Sequence, residues 1–212
     1  FGRSAVAMFF DNEQGRFMRS IKRVLGTSLM KQGTTFNGKP MKFENIIGVF
    51  LTNLRSRTLD FTGKEINDVV IGRPVHFIDN DPEGDKRAQS ELESIARSVG
   101  FVNVSFQYEP IAAAFAHEQK FKEEKLALVA DLGGGTSDFT IIKLSSSYIG
   151  KTDRSSDILA NTGVRIGGND FDKHLCLSSI MPEIGYLSTY GSKHLEVPMK
   201  YFHDLSEWSK VN

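Results

Sequence analysis

The sequence predicts an α/β fold. Between residues 43 and 121, segments with the 3.6-residue apolar period of a helix alternate with short apolar runs that are typical of buried strands. Residues 126–144 then form two apolar runs on either side of three consecutive glycines, which predicts strand, tight turn, strand. Strand–helix–strand alternation favours crossover units and a largely parallel sheet, where ligands bind beyond the carboxyl ends of the strands.

Length and composition narrow the class of protein. The 212 residues suffice for one large core or two modest ones, and 26 basic residues balance 26 acidic ones. Without net charge we expect no nucleic-acid or membrane-surface partner. The single cysteine, Cys176, excludes an intrachain disulfide framework and fits the reducing cytoplasm. The chain opens without Met, and we expect it to be part of a longer protein.

The first half of the chain shows both strong and weak patterns. The strongest is a helix from residue 43 to 54, with apolar residues at helical spacing. The other segments carry weaker signals: a strand at residues 5–10, a helix at 17–25 that ends near Gly26, and a loop at 31–40.

The middle of the chain predicts a strand, a helix, a strand and a helix. The first strand covers residues 68–75. Because Pro74 has no N–H to donate, the strand must either end there or lie at the edge of a sheet. Glu109 ends the second strand and begins the last helix, whose first turn contains Pro110. The remaining elements are a polar turn at 79–84, a helix at 88–99 closed by Gly100, the second strand at 102–106 and the last helix at 111–121.

The glycine turn carries the clearest chemical signal. Gly133, Gly134 and Gly135 lack Cβ atoms, so their backbone N–H groups can point together into a site for an anion. Asp131 and Asp138 flank the turn, and Thr136 lies inside it. Carboxylates beside a phosphate site suit a hydrated divalent cation that bridges them to the phosphate. The alternative is an ordinary glycine hairpin with Asp131 as a turn residue.

A second glycine pair, Gly167 and Gly168, precedes a predicted helix that Pro182 ends. With Asn169 or Asp170 as N-cap, its first N–H groups would form another anion site, although such a turn is more often only a turn. Residues from 198 on predict a surface helix or loop. The five histidines show no metal-ligand spacing, and neither common nucleotide-binding loop motif occurs.

Four segments together resemble the nucleotide-binding domain of the DnaK-type, 70-kDa heat-shock chaperones of the actin-like ATPase superfamily. VADLGGGTSDFTII is similar to the second phosphate motif of that family and YEPIAAAFAHE to its connecting helix. TGVRIGGNDFD resembles its GDTHLGGEDFD motif, and SIKRVLG its KRLIG motif. The form VVIGRPVHF is closer to the YegD-type bacterial members.

The resemblance implies a role for each matching residue. Lys22, Glu109 and Asp131 correspond to catalytic residues, although Lys22 alone would suggest a solvated basic face and Glu109 alone a helix-dipole carboxylate. Asp131, Asp138 and Glu109 would hold Mg²⁺ through water. Phosphate binding would fall to Gly133, Gly134, Gly135, Thr136, Gly167 and Gly168, and Pro74 would switch between nucleotide states. The family's arginine after this proline has no match, and its position falls on Gln89 with Arg87 nearby.

The resemblance therefore implies a truncated actin-like, ribonuclease H-like fold, with most of lobe I in residues 1–121 and the start of lobe II in 122–212. The expected function is Mg²⁺-dependent ATP binding and hydrolysis, with ADP as product and with client polypeptides or co-chaperones bound by parts outside this chain. For the 212 residues alone we expect weak nucleotide binding and negligible turnover. Two alternatives remain: an actin-like sugar or acetate kinase, and a non-enzymatic scaffold or filament protein.

Overall fold

The computed structural model describes residues 1–11, 13, 15, 17–36, 38–151 and 153–207. The chain divides into two compact units. The central unit comprises residues 21–132 and 136–165, and the terminal unit comprises residues 1–20, 133–135 and 166–212. The predicted lobe boundary at residue 121 stays a prediction.

The central unit begins with short elements and one long helix. A 3₁₀ helix at Ile21–Val24 replaces the longer helix predicted for residues 17–25, and a second spans Ser28–Lys31. Residues 31–40 were wrongly predicted as a loop, because β1 (Gly33–Phe36) pairs antiparallel with β2 (Lys39–Lys42). The Thr and Phe side chains of β1 favour strand, and Gly38 has the positive φ of 74° that tight connections need. The predicted helix is confirmed as α2, Phe43–Thr62.

A parallel strand pair follows, as predicted. β3 (Asp68–Arg73) ends just before Pro74 and pairs along its whole length with β4 (Asn103–Tyr108). The crossover is α3 (Pro82–Ser98), which begins in the stretch predicted as a polar turn because Asp81 caps it by accepting a 2.9 Å hydrogen bond from the N–H of Gly84. The core beneath these elements consists of Leu25, Met30, Ile47, Phe77, Ala88, Leu92 and Ile95.

The second sheet is antiparallel. The last predicted helix is confirmed as α4 (Glu109–His117), and β5 (Lys125–Leu132), β6 (Ser137–Leu144) and β7 (Ile158–Val164) form the sheet in that order. In the described residues β5 does not join β3 and β4, so the largely parallel sheet predicted from the alternation is wrong: the short glycine turn brings β6 back beside β5. Ile111, Ala114, Ile142 and Leu144 bury the contact between α4 and this sheet.

The terminal unit is mostly helical. Residues 5–10 were wrongly predicted as a strand: they belong to α1 (Gly2–Phe10), where Val6, Phe9 and Phe10 have helical spacing and Phe9 stacks on Phe17 at 4.7 Å. Pro182 does not end a continuous helix but lies in the first turn of a later 3₁₀ helix, where its missing N–H is harmless. The other elements are α5 (Gly168–Leu175), a π-helical turn (Cys176–Ile180), the 3₁₀ helix Met181–Ile184, β8 (Thr189–Tyr190), β9 (Leu195–Glu196) and α6 (Met199–Leu205).

Among the described helices, none combines the length and the apolar character that crossing a membrane requires.

Candidate functional site

The end of the hairpin formed by β5 and β6 carries two carboxylates face to face. Asp131 and Asp138 are directly opposed across the strands. Because side chains alternate along a strand, both lie on the face that continues from Ala127 and Val129, which pack against the core under α4. Opposed like charges destabilise a sheet, so this pair points to a cation or a proton between the two strands.

Asp138 is almost wholly buried, at 1% exposed. Its Oδ1 accepts a 2.7 Å hydrogen bond from the N–H of Val75, and no described residue donates to its buried Oδ2. Burial raises the pKa of Asp138, the Val75 N–H and the Thr136 side chain oppose that rise, and the nearby charges of Glu109 and Asp131 add to it. A buried oxygen without a protein donor is costly, so we expect a water, an ion or a ligand to satisfy it.

Glu109 approaches Asp131 and Asp138 from the N-terminus of α4, and these three carboxylates form the acidic cluster. Glu109 forms an ion pair with Lys22, whose Nζ also lies 3.4 Å from the carbonyl oxygen of Gly72. A Cβ on Gly72 would lie 3.1 Å from Cγ of Glu109, so glycine at this position leaves room for the carboxylate. The side chains of Lys22 and Glu109 remain 48% and 33% exposed, so this ion pair is accessible to a ligand.

The 3₁₀ helix that carries Lys22 is fixed to α3. Leu25 is 1% exposed in the core, and the N–H of Gly26 donates to Oε2 of Glu91 at 2.7 Å. Arg87 donates to the carbonyl oxygen of Gly26 at 2.9 Å. Gly26 has a φ of 72°, and a Cβ there would lie 2.7 Å from the carbonyl oxygen of Gly84. Lys22 is therefore placed by the contacts of Leu25 and Gly26, three and four residues downstream.

The glycines of the terminal unit pack backbone against backbone. The N–H groups of Gly168 and Asn169 donate to the carbonyl oxygens of Gly133 and Gly134 at 2.9 and 3.0 Å. A Cβ on Gly167 would lie 2.6 Å from the carbonyl oxygen of Gly133, so this close approach explains the glycine; its φ of −150° is ordinary extended backbone. The first N–H groups of α5 thus already have protein acceptors.

The glycine turn itself has free amides. None of the described residues accepts a hydrogen bond from the N–H of Gly133, Gly134 or Gly135. The N-cap of α5 is Gly167 and not Asn169 or Asp170 as predicted, because Oδ2 of Asp170 accepts a 3.0 Å hydrogen bond from the N–H of Gly167. At this pair of glycine loops, the described amides that remain for an anion are therefore those of the turn.

No group of three His, Cys, Asp or Glu side chains in the described part of the chain is arranged to bind a metal ion directly. The three carboxylates of Glu109, Asp131 and Asp138, with one buried oxygen lacking a donor, suit a cation that keeps its own water ligands. Mg²⁺ binds in this way, through few direct carboxylates and several waters. The donor set therefore fits hydrated Mg²⁺.

Sequence reasoning missed one residue near this cluster. Arg73 is the last residue of β3 and is 7% exposed, with its guanidinium beside Pro74, Asp85 and Gln89. The available signal was an arginine at the end of an apolar run, followed 12 and 16 residues later by Asp85 and Gln89, which lie four residues apart on one face of α3.

Comparisons with known proteins agree on one family. The family described as Hsp70 protein matches residues 2–184. The chaperone protein DnaK of Thermosipho melanesiensis is 34% identical over 163 residues, which are 76% of this chain and 24% of that protein. DnaK of Mycoplasmopsis pulmonis is 30% identical over 197 residues, 91% of this chain and 30% of that protein. A chaperone protein HscA homolog of Vibrio vulnificus is 31% identical over 186 residues, 78% of this chain and 28% of that protein.

The match spans less than a third of each of these relatives. It includes every segment that positions Lys22, the acidic cluster and the glycine turns. The chain belongs to the Hsp70 family.

Proposed function

We propose that the chain contributes the Mg²⁺-dependent ATP-binding and ATP-hydrolysing part of a cytoplasmic DnaK-type chaperone with an actin-like fold, akin to the YegD-type members. The observation that carries this proposal is the convergence of Lys22, Glu109, Asp131 and Asp138 within the central unit. Family membership supports a chaperone. Because the chain spans under a third of its relatives, activity as a whole chaperone is part of the proposal.

In this proposal the ion pair between Lys22 and Glu109 opens when nucleotide binds. Lys22 then turns its ammonium toward the transferring phosphoryl group and stabilises the charge that develops there. Glu109, Asp131 and Asp138 would hold the water shell of Mg²⁺, and the bound ion would neutralise charge on the phosphates. Asp131, half-buried at the strand end, orients the attacking water.

The glycine turn supplies the phosphate contacts. Gly133, Gly134 and Gly135 offer N–H groups that no described residue uses, and Thr136 adds a hydroxyl. Gly167 and Gly168 contribute through their lack of side chains, which lets the second loop lie against the turn. ADP would leave the site after hydrolysis, and Pro74 would pass the change in nucleotide state to parts that bind clients or co-chaperones.

The test is a pair of measurements on the full-length protein. Addition of ATP with Mg²⁺ raises the melting temperature of the wild type, and that rise needs Mg²⁺. Lys22→Met keeps the shift but lowers the hydrolysis rate by about 10²-fold, because it removes charge stabilisation in the transition state. Lys86→Met is the matched control, since Lys86 is 76% exposed on α3.

Absence of any ATP-dependent shift in the wild type would overturn the proposal and favour a scaffold. Hydrolysis that depends on an added sugar or carboxylic acid would instead identify a kinase.

A further inference from the structure

Arg73 is a buried cation whose three guanidinium nitrogens all have protein partners. Its side chain is 9% exposed and forms an ion pair with Oδ2 of Asp85 at 2.6 Å. Its Nη1 donates to Oε1 of Gln89 at 2.5 Å. Phe77 and Tyr108 flank the guanidinium, with ring centres at 5.0 and 5.2 Å. The arginine therefore has one fixed position at the end of β3.

The same guanidinium binds the backbone that follows it. Nε donates to the carbonyl oxygen of Pro74 at 3.1 Å, and Nη2 donates to that of Val75 at 3.2 Å. The other oxygen of Asp85 accepts from the N–H of Phe77 at 2.6 Å. Residues 74–77 are thus held through two carbonyls and one N–H by a single pair, Arg73 and Asp85.

The N–H of Val75 lies between these contacts and points to the acidic cluster. It donates to Oδ1 of Asp138 at 2.7 Å. Gly163, which pairs with Asp138 from β7, permits this approach, because a Cβ there would lie 3.3 Å from Cβ of Val75 and would collide with the Asp138 carboxylate. The Val75 N–H is a backbone donor to Asp138, beside the Thr136 side chain, so the position of Val75 helps to orient that carboxylate.

We propose that Arg73 is a positioning residue: by gripping the carbonyls of Pro74 and Val75 it keeps the Val75 N–H on Asp138 and so orients that carboxylate for the hydrated cation. The link to the cation rests on the proposed function, whereas the link from Arg73 to Val75 does not. The planar fork of arginine reaches two carbonyls and two side chains together, which a lysine ammonium at the same place does not reproduce.

The first test measures amide hydrogen exchange at Val75 in the 212-residue chain. Arg73→Lys retains the charge opposite Asp85 but loses the fork, so the exchange rate of Val75 rises by about tenfold or more relative to Ala96 in the core of α3. Arg97→Lys, on the exposed side of α3 and paired with Glu93, leaves the ratio unchanged. An unchanged Val75 rate in Arg73→Lys would overturn the proposal.

Equal acceleration of exchange at Val75 and Ala96 would also overturn the proposal, since Arg73 would then serve only the general stability of the unit.

The second test titrates the full-length protein with ATP, with and without Mg²⁺. In Arg73→Lys the gain in affinity that Mg²⁺ provides falls by about tenfold, while the affinity without Mg²⁺ stays the same. A loss of affinity that is equal in both conditions contradicts the role toward the cation.

Failure of the wild type to bind ATP at all would overturn the proposed function and, with it, the link to the cation. The exchange measurement would still decide whether Arg73 holds Val75.

Discussion

The two ends of α4 carry glutamates with opposite surroundings. Glu109 begins the helix, and its ion pair with Lys22 is a third to a half exposed. Glu118 follows the helix, with a side chain 3% exposed, and accepts two hydrogen bonds from Arg154 at 2.7 and 2.8 Å. One pair is open to a ligand, whereas the other is closed.

The closed pair is also fully partnered. Nε of Arg154 lies 2.6 Å from Oδ2 of Asp157, and its Cζ lies 4.7 Å from the ring centre of Phe115. The N–H of Ser145 donates to Oε1 of Glu118. These contacts tie the end of α4 to the segments around β6 and β7. At the other end, none of the residues that the structure describes donates to Oδ2 of Asp138. A buried ion pair whose polar atoms all have hydrogen-bond partners is structural, whereas buried polar atoms that lack partners mark a candidate binding site.

Breaking the closed pair should have the largest effect on stability. Arg154→Met leaves the buried carboxylates of Glu118 and Asp157 without their cation, which costs about 3–5 kcal/mol of the free energy of unfolding. Urea unfolding followed by circular dichroism measures this loss. Lys86→Met, which breaks an exposed pair on α3, is the control and costs less than about 1 kcal/mol. Similar losses in the two variants would remove the distinction between open and closed pairs.

The second-largest effect should come from acid, which weakens the pair of Glu118 and Arg154. The hydrogen bonds from Arg154 lower the pKa of Glu118 below its ordinary value of 4.5. The contribution of the ionised carboxylate is therefore fully present above pH 4.5 and is lost as the pH falls through the lower pKa of the folded state. Unfolding free energies of wild type and Glu118→Gln, compared from neutral to acid pH, should converge in acid. A difference independent of pH would show that the charge of Glu118 is unimportant.

Neutralising Asp138 should have a smaller effect of the opposite sign. Asp138→Asn removes a buried charge from beside Glu109 and Asp131 and keeps an oxygen for the Val75 N–H, so the ligand-free protein gains about 1 kcal/mol in stability. Differential scanning calorimetry measures the change. Asp131→Asn, at the half-buried partner position, is the matched control with a smaller gain. Destabilisation by Asp138→Asn would mean that the carboxylate is held for structural reasons.

Breaking the open pair should have the smallest effect on stability. Lys22→Met changes the free energy of unfolding by less than about 1 kcal/mol, because exposed ion pairs contribute little. The same urea titration applies. A loss comparable to that of Arg154→Met would place the Lys22–Glu109 pair in the structural class.

The local structure that carries the candidate site could largely be predicted, because it depends on residues that are close together in the sequence. Apolar runs around three glycines fixed the β5–β6 hairpin and the opposed Asp131 and Asp138, and Pro74 fixed the end of β3. The prediction of a strand at residues 5–10 was wrong because a short apolar run fits a strand or a helix equally well. β7 was missed because Asn161, Thr162 and Gly163 interrupt its apolar pattern.

Arg73 and Glu118 were missed for another reason. Their roles depend on partners distant in sequence, Asp138 through Val75 for Arg73 and Arg154 for Glu118. Periodicity and motifs do not reveal such contacts, which arise only when the sheets and helices pack together.

The central claim is that the open end of α4 binds nucleotide with Mg²⁺. Isothermal titration of the full-length protein with ATP, with and without Mg²⁺, beside the same protein carrying Asp131→Asn, tests it most directly. We expect tight, Mg²⁺-dependent binding in the wild type that the substitution weakens, with Lys86→Met unchanged. Binding that is equal in wild type and Asp131→Asn, or absent from both, would contradict it.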